Sequence, residues 1–169
     1  KTQLKQFTCE YNSITSIPTF YNWNLRNTFD ILENRYFIKT GYSSRFISKN
    51  YTIFGNGKSV TYNCIQLAYF MGFKEVYIIG KDHSYNTNKK PGTSVKVDKK
   101  NNNHFLKNYY KQNQIFDAPD LKSEEFAYKF AKDFFKKNNR VIKDATINGN
   151  LDIFEKVNFN DLFNEKKNI

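Results

Sequence analysis

The sequence has little cysteine, proline, glycine and tryptophan, and it has no long apolar run. The two cysteines, Cys9 and Cys64, match no metal or redox motif and cannot form a disulfide-rich framework, so a reducing compartment is expected. No stretch reaches the length of about 18 apolar residues that predicts a transmembrane helix. The pattern of a secretory signal peptide is also missing. These absences favour a globular chain in the cytoplasm.

Acidic residues are outnumbered, with 16 Asp and Glu against 27 Lys and Arg and a net charge of +11. Only 4 of the basic residues are arginine, and lysine is spread along the chain with a modest density at 89–111. Proteins that read nucleic acid are usually rich in arginine and concentrate basic residues in a stripe. The charge therefore favours a solvated surface that attracts anionic ligands, and nucleic acid is not the expected partner.

Aromatic residues are abundant, with 17 Phe and 12 Tyr among 169 residues. A chain of this length and composition can bury a core, and the length is typical of one domain. We predict a single α/β domain over 1–163, followed by a tail at 164–169.

Residues 59–80 predict a helix, a glycine turn and a buried parallel strand. Ser59 or Thr61 can cap the helix, and Gly72 stands where a left-handed C-terminal cap belongs. The short β-branched run at 75–80 is typical of a strand buried on both faces. One apolar helix face is predicted, consisting of Val60, Cys64, Leu67, Ala68 and Met71, with Ile65 and Tyr69 widening it.

A second helix is predicted over 121–139, with Ser123 as its N-cap and a strand at 140–145 after it. Its aromatic stripe is expected to pack against a sheet and consists of Phe126, Ala127, Phe130, Ala131, Phe134 and Phe135. We predict a long lid loop at residues 83–118, between the first predicted strand and the second predicted helix. Connections of this length are usually functional lids or disordered segments, and the composition does not decide between the two.

Four polar residues, Asp82-His83-Ser84-Tyr85, follow directly on the strand at 75–80. Open α/β sheets bind ligands beyond the carboxyl ends of their strands, so we predict a site here. Asp82 would bind a sugar hydroxyl or a metal ion that carries phosphates, His83 would contact substrate, and Tyr85 would donate to a phosphate oxygen. The alternative is that Asp82 caps the turn and the others are solvated.

His104 is the only other histidine, and it lies in the lid beside Asn103 and close to Tyr109. Histidine is the natural general base near neutral pH. His104 is therefore either the base, with Asn103 and Tyr109 contacting substrate, or an exposed loop histidine. Its spacing from His83 is unspecific and predicts no metal site.

Gly57-Lys58-Ser59 is only part of a phosphate-binding loop, because Thr52 stands where another glycine is required. Two interpretations remain open. The segment is a plain strand-to-helix turn, or the start of the helix binds an anion through backbone N–H groups and the hydroxyls of Ser59 and Thr61.

An ordered series of motifs within 50–163 resembles the family named after the archaeal 6-hydroxymethylpterin pyrophosphokinase. The best matched part runs from Ser59-Val60-Thr61-Tyr62 through the turn Gly72-Phe73-Lys74-Glu75 to Gly80-Lys81-Asp82. Later matches are 103–105, 127–132, 140–142, 145–146 and 151–163, with Asp144 and Asn148 where Asn and Gly are expected. The family includes flagellin-glycosylation and surface-polysaccharide proteins, and the chain is more distantly similar to the bacterial sialyltransferases that modify lipooligosaccharide.

The resemblance implies a Rossmann-like α/β fold, with a mostly parallel sheet flanked by helices, that handles a nucleotide-activated donor. In the sialyltransferases a lid histidine deprotonates the acceptor and tyrosines stabilise the departing phosphate. By position, His104 would be the base and Tyr85 a phosphate-stabilising group. Family members begin with a strand and a Gly-Asn-Gly-Pro-Ser-type loop that this chain lacks, which implies that it is either the C-terminal part of a longer protein or a degenerate stand-alone piece.

Three functions are weighed. The first is a glycosyltransferase-like domain of bacterial surface-glycan synthesis that moves a sugar, a sialic-acid-like one among the candidates, from a nucleotide sugar to a glycan acceptor. It would use His104, Tyr85 and Asp82 and no tightly bound cofactor. The second is diphosphate transfer from ATP with Mg²⁺ held by Asp82. The third is a non-catalytic basic binding module. Contact with the periphery of the inner membrane stays open.

Overall fold

The computed structural model describes residues 16–43, 53–85, 89–96 and 115–163. The chain forms two compact units, Lys1–Asn56 and Gly57–Ile169. The described residues form helices, two parallel sheets and one antiparallel ladder, which confirms the predicted α/β class. Asn103, His104 and Tyr109 lie outside the described residues.

The first unit contains two short parallel strands, β1 (Thr19–Asn22) and β2 (Arg35–Ile38), joined through a 3₁₀ helix at Trp23–Leu25. Arg35 is buried beneath aromatic rings, and its guanidinium donates to the carbonyl oxygen of Asp30 at 2.8 Å. The guanidinium carbon lies 5.7 Å from the Tyr21 ring centre and 5.8 Å from that of Phe29. A buried charge is tolerated here because the guanidinium donates to a carbonyl oxygen and lies over two aromatic rings.

The second unit is built on a three-stranded parallel sheet with the order β3-β6-β7. Helix α1 (Val60–Phe70) precedes β3, and helix α2 (Leu121–Lys137) crosses from β3 to β6 and packs against β6 and α1. The predicted helix–strand pairs are thereby confirmed, but the predicted burial of the first strand on both faces is wrong. Only Ile78 of its four residues is buried, because this strand lies at the end of the described sheet. The strands are β3 (Glu75–Ile78), β6 (Val141–Asp144) and β7 (Glu155–Lys156), and a 3₁₀ helix follows at Phe159–Phe163.

The segment predicted as a lid loop contains an antiparallel ladder of β4 (Ser94–Lys96) and β5 (Ile115–Asp117). Backbone hydrogen bonds extend this ladder outward, from the Gly92 amide to the Ala118 carbonyl at 2.8 Å and from the Ala118 amide to the Thr93 carbonyl at 2.9 Å. Part of the predicted loop is therefore regular structure that ends just before α2.

The caps that the sequence predicts for α1 are confirmed, whereas the predicted N-cap of α2 is not. The Ser59 side chain accepts a hydrogen bond from the Tyr62 amide at 3.3 Å, and Gly72 takes a φ of +90° after the helix, as predicted. The predicted N-cap Ser123 is wrong, because Asp120 holds that position. Its carboxylate accepts from the Ser123 amide at 3.1 Å and from the Ser123 hydroxyl at 2.6 Å.

The buried faces differ from those that the periodicity predicted. In α1, Val60 is 76% exposed and Met71, its C-cap, is 57% exposed, while the buried side chains are Tyr62, Ile65, Gln66 and Tyr69. In α2, Phe126 and Phe130 lie outward, and the buried set is Glu124, Ala127, Tyr128, Ala131 and Phe135. Helix α1 is apolar almost all round, so its sequence does not select a face. The small Ala127 and Ala131 allow α2 to approach its neighbours closely.

Gly57 has no room for a side chain, because a Cβ there would lie 2.2 Å from ring atoms of the fully buried Tyr62. We expect Gly57→Ala to lower the free energy of unfolding by about 1–3 kcal/mol, the usual cost of overpacking a core. Urea denaturation measures this change. Cys64→Ala, on an exposed position of the same helix, is the control and should stay within about 0.5 kcal/mol. Equal effects of both variants would contradict the packing argument.

Candidate functional site

Strands β3 and β6 end side by side, and the loops that follow them are bonded together. The Ala145 amide donates to the Ile78 carbonyl at 2.8 Å, and the Asn150 amide donates to the Asp82 carbonyl at 2.9 Å. The Lys81 amide donates to the Thr146 hydroxyl at 3.2 Å. The predicted site residues after β3 are therefore held at the carboxyl edge of the parallel sheet, where open α/β sheets bind ligands.

The loop after β6 is built around a fully buried carboxylate. Asp144 accepts from the Thr146 amide at 2.8 Å and from Lys156 Nζ at 2.7 Å, and the same ammonium donates to the Gly149 carbonyl at 2.9 Å. The lysine ammonium and the backbone N–H both donate to the carboxylate, so the buried charge is paired. Asn148 takes a φ of +57°, a left-handed conformation that asparagine tolerates better than most residues other than glycine.

Gly149 lets the two loops touch. A Cβ at this position would lie 3.1 Å from the Lys81 carbonyl oxygen and 2.8 Å from a methyl group of Thr146. The backbone after β3 is itself bent, since Gly80 has a φ of +72° and His83 a φ of +52°. A non-glycine residue in the left-handed region is uncommon, although histidine is among the better tolerated. The conformation that directs the His83 side chain is thus held by the neighbouring loop.

The first turns of α2 add acidic and phenolic side chains to this edge. Lys81 Nζ lies 2.8 Å from Glu124 Oε2, and His83 Nε2 lies 3.1 Å from Glu125 Oε1. Glu124 Oε2 is also 3.9 Å from His83 Nδ1. The Tyr128 hydroxyl is 2.8 Å from Ser59 Oγ, at the start of α1. We call this set the carboxyl-edge cluster; it consists of Ser59, Lys81, His83, Glu124, Glu125 and Tyr128.

Burial and pairing set the ionisation of two members of the cluster. Burial raises the pKa of Tyr128, and hydrogen bonds from Ser59 and Thr61 and the charge of Lys81 offset part of that rise. Burial alone would lower the pKa of Lys81, but the hydrogen bond to Glu124 and nearby negative groups outweigh it and raise that pKa. Tyr128 is therefore a neutral phenol and Lys81 a full cation at neutral pH.

The predicted site residues are brought together in part. Ser59 and Thr61 lie at the start of α1, half-buried, and both bond to Tyr128. Asp82 is exposed, Tyr85 is half-buried within electrostatic reach of Lys81, and His83 is buried. The three predicted lid residues Asn103, His104 and Tyr109 lie outside the described residues.

Four members of the cluster escaped the sequence reasoning: Lys81, Glu124, Glu125 and Tyr128. Lys81 lies between Gly80 and Asp82 and shows no site signal of its own, and acidic residues in the first turn of a helix are explained by the helix dipole alone. A usable signal exists, because Glu124 and Tyr128 are four residues apart and share a helix face with the buried Ala127 and Ala131.

Comparisons with known protein families, with curated proteins and with solved structures find no match to this chain. The family resemblance and the function that it implies therefore stay predictions. Within the described ranges, no group of three or more His, Cys, Asp or Glu side chains is arranged to hold a metal ion. None of the described helices is long and apolar enough to cross a membrane.

Tyr128→Phe removes only the hydroxyl that joins α2 to the start of α1. We expect this variant to lose about 1 kcal/mol of stability, because a part-buried hydrogen bond is broken and the Ser59 hydroxyl loses a partner. Tyr77→Phe is the matched control, since its hydroxyl bonds to Glu75 at 2.8 Å on the exposed surface and should contribute less than about 0.5 kcal/mol. Thermal unfolding compares the two, and equal losses would show that the Ser59–Tyr128 bond has no special role.

Proposed function

We propose that this chain is a glycosyltransferase-like domain of bacterial surface-glycan synthesis, with a Rossmann-like organisation and a nucleotide-sugar donor. The observation that carries the proposal is the convergence of the loop after β3 with the starts of α1 and α2, at the carboxyl edge of a parallel sheet. Sites for phosphate-containing ligands recur at this place in α/β folds because helix N-termini and strand ends meet there.

The groups at this edge suit the parts of such a donor. The start of α1 offers backbone N–H groups with the hydroxyls of Ser59 and Thr61 for a phosphate, and Tyr85 is a phenol near the Lys81 cation. The exposed carboxylate of Asp82 suits sugar or ribose hydroxyls. His83 contributes a buried imidazole to the same edge.

The reaction that we propose is an in-line displacement at the anomeric carbon. The acceptor hydroxyl oxygen forms the new bond, its proton passes to His104, and the bond between the anomeric carbon and the phosphate oxygen breaks. Tyr85 stabilises the departing phosphate. Substrate contacts by Asn103 and Tyr109 belong to the same proposal, as do a cytoplasmic location and contact with the inner-membrane periphery. Such chemistry depends mainly on positioning and on stabilising the charge that develops.

Ligand-induced thermal stabilisation tests the donor site, with CMP, CMP-sialic acid, UDP-sugars, GDP-sugars and ATP with and without Mg²⁺ as the panel. We expect a sugar nucleotide or its nucleotide product to raise Tm in the presence of a chelator. A ligand at about 100 times its Kd adds roughly 2.7 kcal/mol, which such a measurement detects.

Asp82→Asn should reduce this stabilisation, whereas Asp152→Asn, which removes the same charge from another exposed position of this unit, should leave it unchanged. A shift with ATP and Mg²⁺ alone would favour diphosphate transfer instead. No shift with any nucleotide would contradict a donor site in this chain and favour the non-catalytic binding module.

A further inference from the structure

One carboxylate oxygen in the carboxyl-edge cluster faces two nitrogen groups. Glu124 Oε2 is 2.8 Å from Lys81 Nζ and 3.9 Å from His83 Nδ1. We propose that Lys81 is the cation that binds the donor phosphate, and that His83 takes up a proton and replaces Lys81 as the partner of Glu124 when the phosphate binds. This inference rests on the proposed nucleotide site and adds to it a phosphate-binding residue and a coupled protonation.

The hydrogen bond to Glu125 sets the resting state of His83. A carboxylate only accepts, so Nε2 carries the hydrogen that faces Glu125 Oε1 at 3.1 Å. In the neutral imidazole, Nδ1 then carries no hydrogen and can only accept a hydrogen bond through its lone pair. Among the described residues nothing hydrogen bonds to Nδ1, although only 3% of the His83 side chain is exposed. A buried nitrogen without a partner is costly to maintain, which points to a second state in which it has one.

Glu124 explains why Lys81 cannot leave without a replacement. Only 4% of the Glu124 side chain is exposed, and a buried carboxylate that loses its cation is strongly destabilised. Protonated His83 removes this obstacle, because Nδ1–H then faces Glu124 while Nε2–H keeps Glu125. In the part of the chain that the structure describes, the charged and titratable groups beside the imidazole are Glu124, Glu125 and Tyr128 of α2, and Lys81 of its own loop pairs with the same Glu124 oxygen.

Lys81 is placed to reach a ligand. Its side chain keeps 14% of its surface exposed, so it is less completely buried than its partner Glu124. It follows Gly80, precedes the exposed Asp82, and lies within electrostatic reach of the Tyr85 and Tyr128 hydroxyls. A lysine side chain has enough rotatable bonds to exchange Glu124 for a phosphate oxygen a few ångströms away.

The exchange balances in protons and charge. The ammonium of Lys81 keeps its protons and moves from one anion to another, and Nδ1 of His83 accepts one proton from the buffer. No other bond forms or breaks. Phosphate binding is therefore linked to the uptake of a proton by His83.

Isothermal titration calorimetry of the full chain measures this uptake directly. CMP is titrated near pH 7.5 in two buffers that differ in ionisation enthalpy, and cytidine is the phosphate-free control. We expect CMP to bind with uptake of up to one proton more by the wild type than by His83→Asn. The variant corrects for protonation of the phosphate itself, and asparagine is tolerated at a positive φ. Glu124→Gln should abolish the extra uptake as well, which is a second route if His83→Asn does not fold.

Lys81→Met should weaken CMP binding by about tenfold or more and leave the weak binding of cytidine unchanged. If that variant does not fold, Lys81→Met combined with Glu124→Gln removes both charges and should show the same selective loss. Lys122→Met is the matched control, because it removes the same charge from an exposed position in the first turn of α2 and should bind CMP as the wild type does.

The outcomes separate the two proposals. CMP binding with equal proton uptake in the wild type and His83→Asn would overturn the coupled exchange and leave the nucleotide site standing. An equal loss in the Lys81 and Lys122 variants would show that net charge, not Lys81, binds the phosphate. No binding of CMP would overturn both proposals.

Discussion

Lys81 and Glu124 form an ion pair largely withdrawn from water, and the placement of the site depends on it. The pair joins the loop after β3 to the first turns of α2, two segments that are 43 residues apart in sequence. Both charged groups would be costly to bury alone, so the loop and the helix have to be placed together. The same loop is held from its other side by Thr146, Gly149 and the turn after β6.

This arrangement gives the carboxyl edge of the sheet two kinds of polar group, exposed and buried. Exposed groups such as Asp82 are free to meet a ligand, while the imidazole of His83 and the carboxylate of Glu124 lie behind them, out of water. Because buried charges interact strongly, an anion that reaches Lys81 changes the balance of the whole cluster. The proposed phosphate recognition by charge exchange follows from this coupling between buried and partly exposed charges.

The sequence predicts the elements of the second unit well, because each has a local cause. Ser59 caps α1, Gly72 allows the left-handed end, and the β-branched run of β3 has the pattern of a parallel strand. The sequence predicts the buried faces less well. Helix α1 has apolar residues on most sides, so only the position of α2 decides that Tyr62 and Tyr69 are buried and that Val60 is not. Likewise, the N-cap of α2 is Asp120 and not Ser123, because the Asp120 carboxylate accepts hydrogen bonds from both the amide and the hydroxyl of that serine.

The candidate site was predictable where it follows a strand and not where it comes from a distant helix. Asp82, His83 and Tyr85 are predicted from sequence because ligands bind after strands of this kind, and the structure places them at that edge of the sheet. Glu124 and Tyr128 were missed because only the parallel register of β3 and β6, with α2 as their crossover, brings them beside Lys81. A local pattern carries no information on such a register.

A double-mutant cycle on Lys81 and Glu124 tests most directly whether their ion pair holds this edge together. Lys81→Met and Glu124→Gln are measured singly and combined, by urea denaturation at neutral pH. Each single change should cost about 3 kcal/mol, because it leaves a buried charge without its partner. The double variant should cost clearly less than the sum, with a coupling energy of about 1 kcal/mol or more. Strictly additive losses would contradict the account, since the loop after β3 and α2 would then be placed independently of each other.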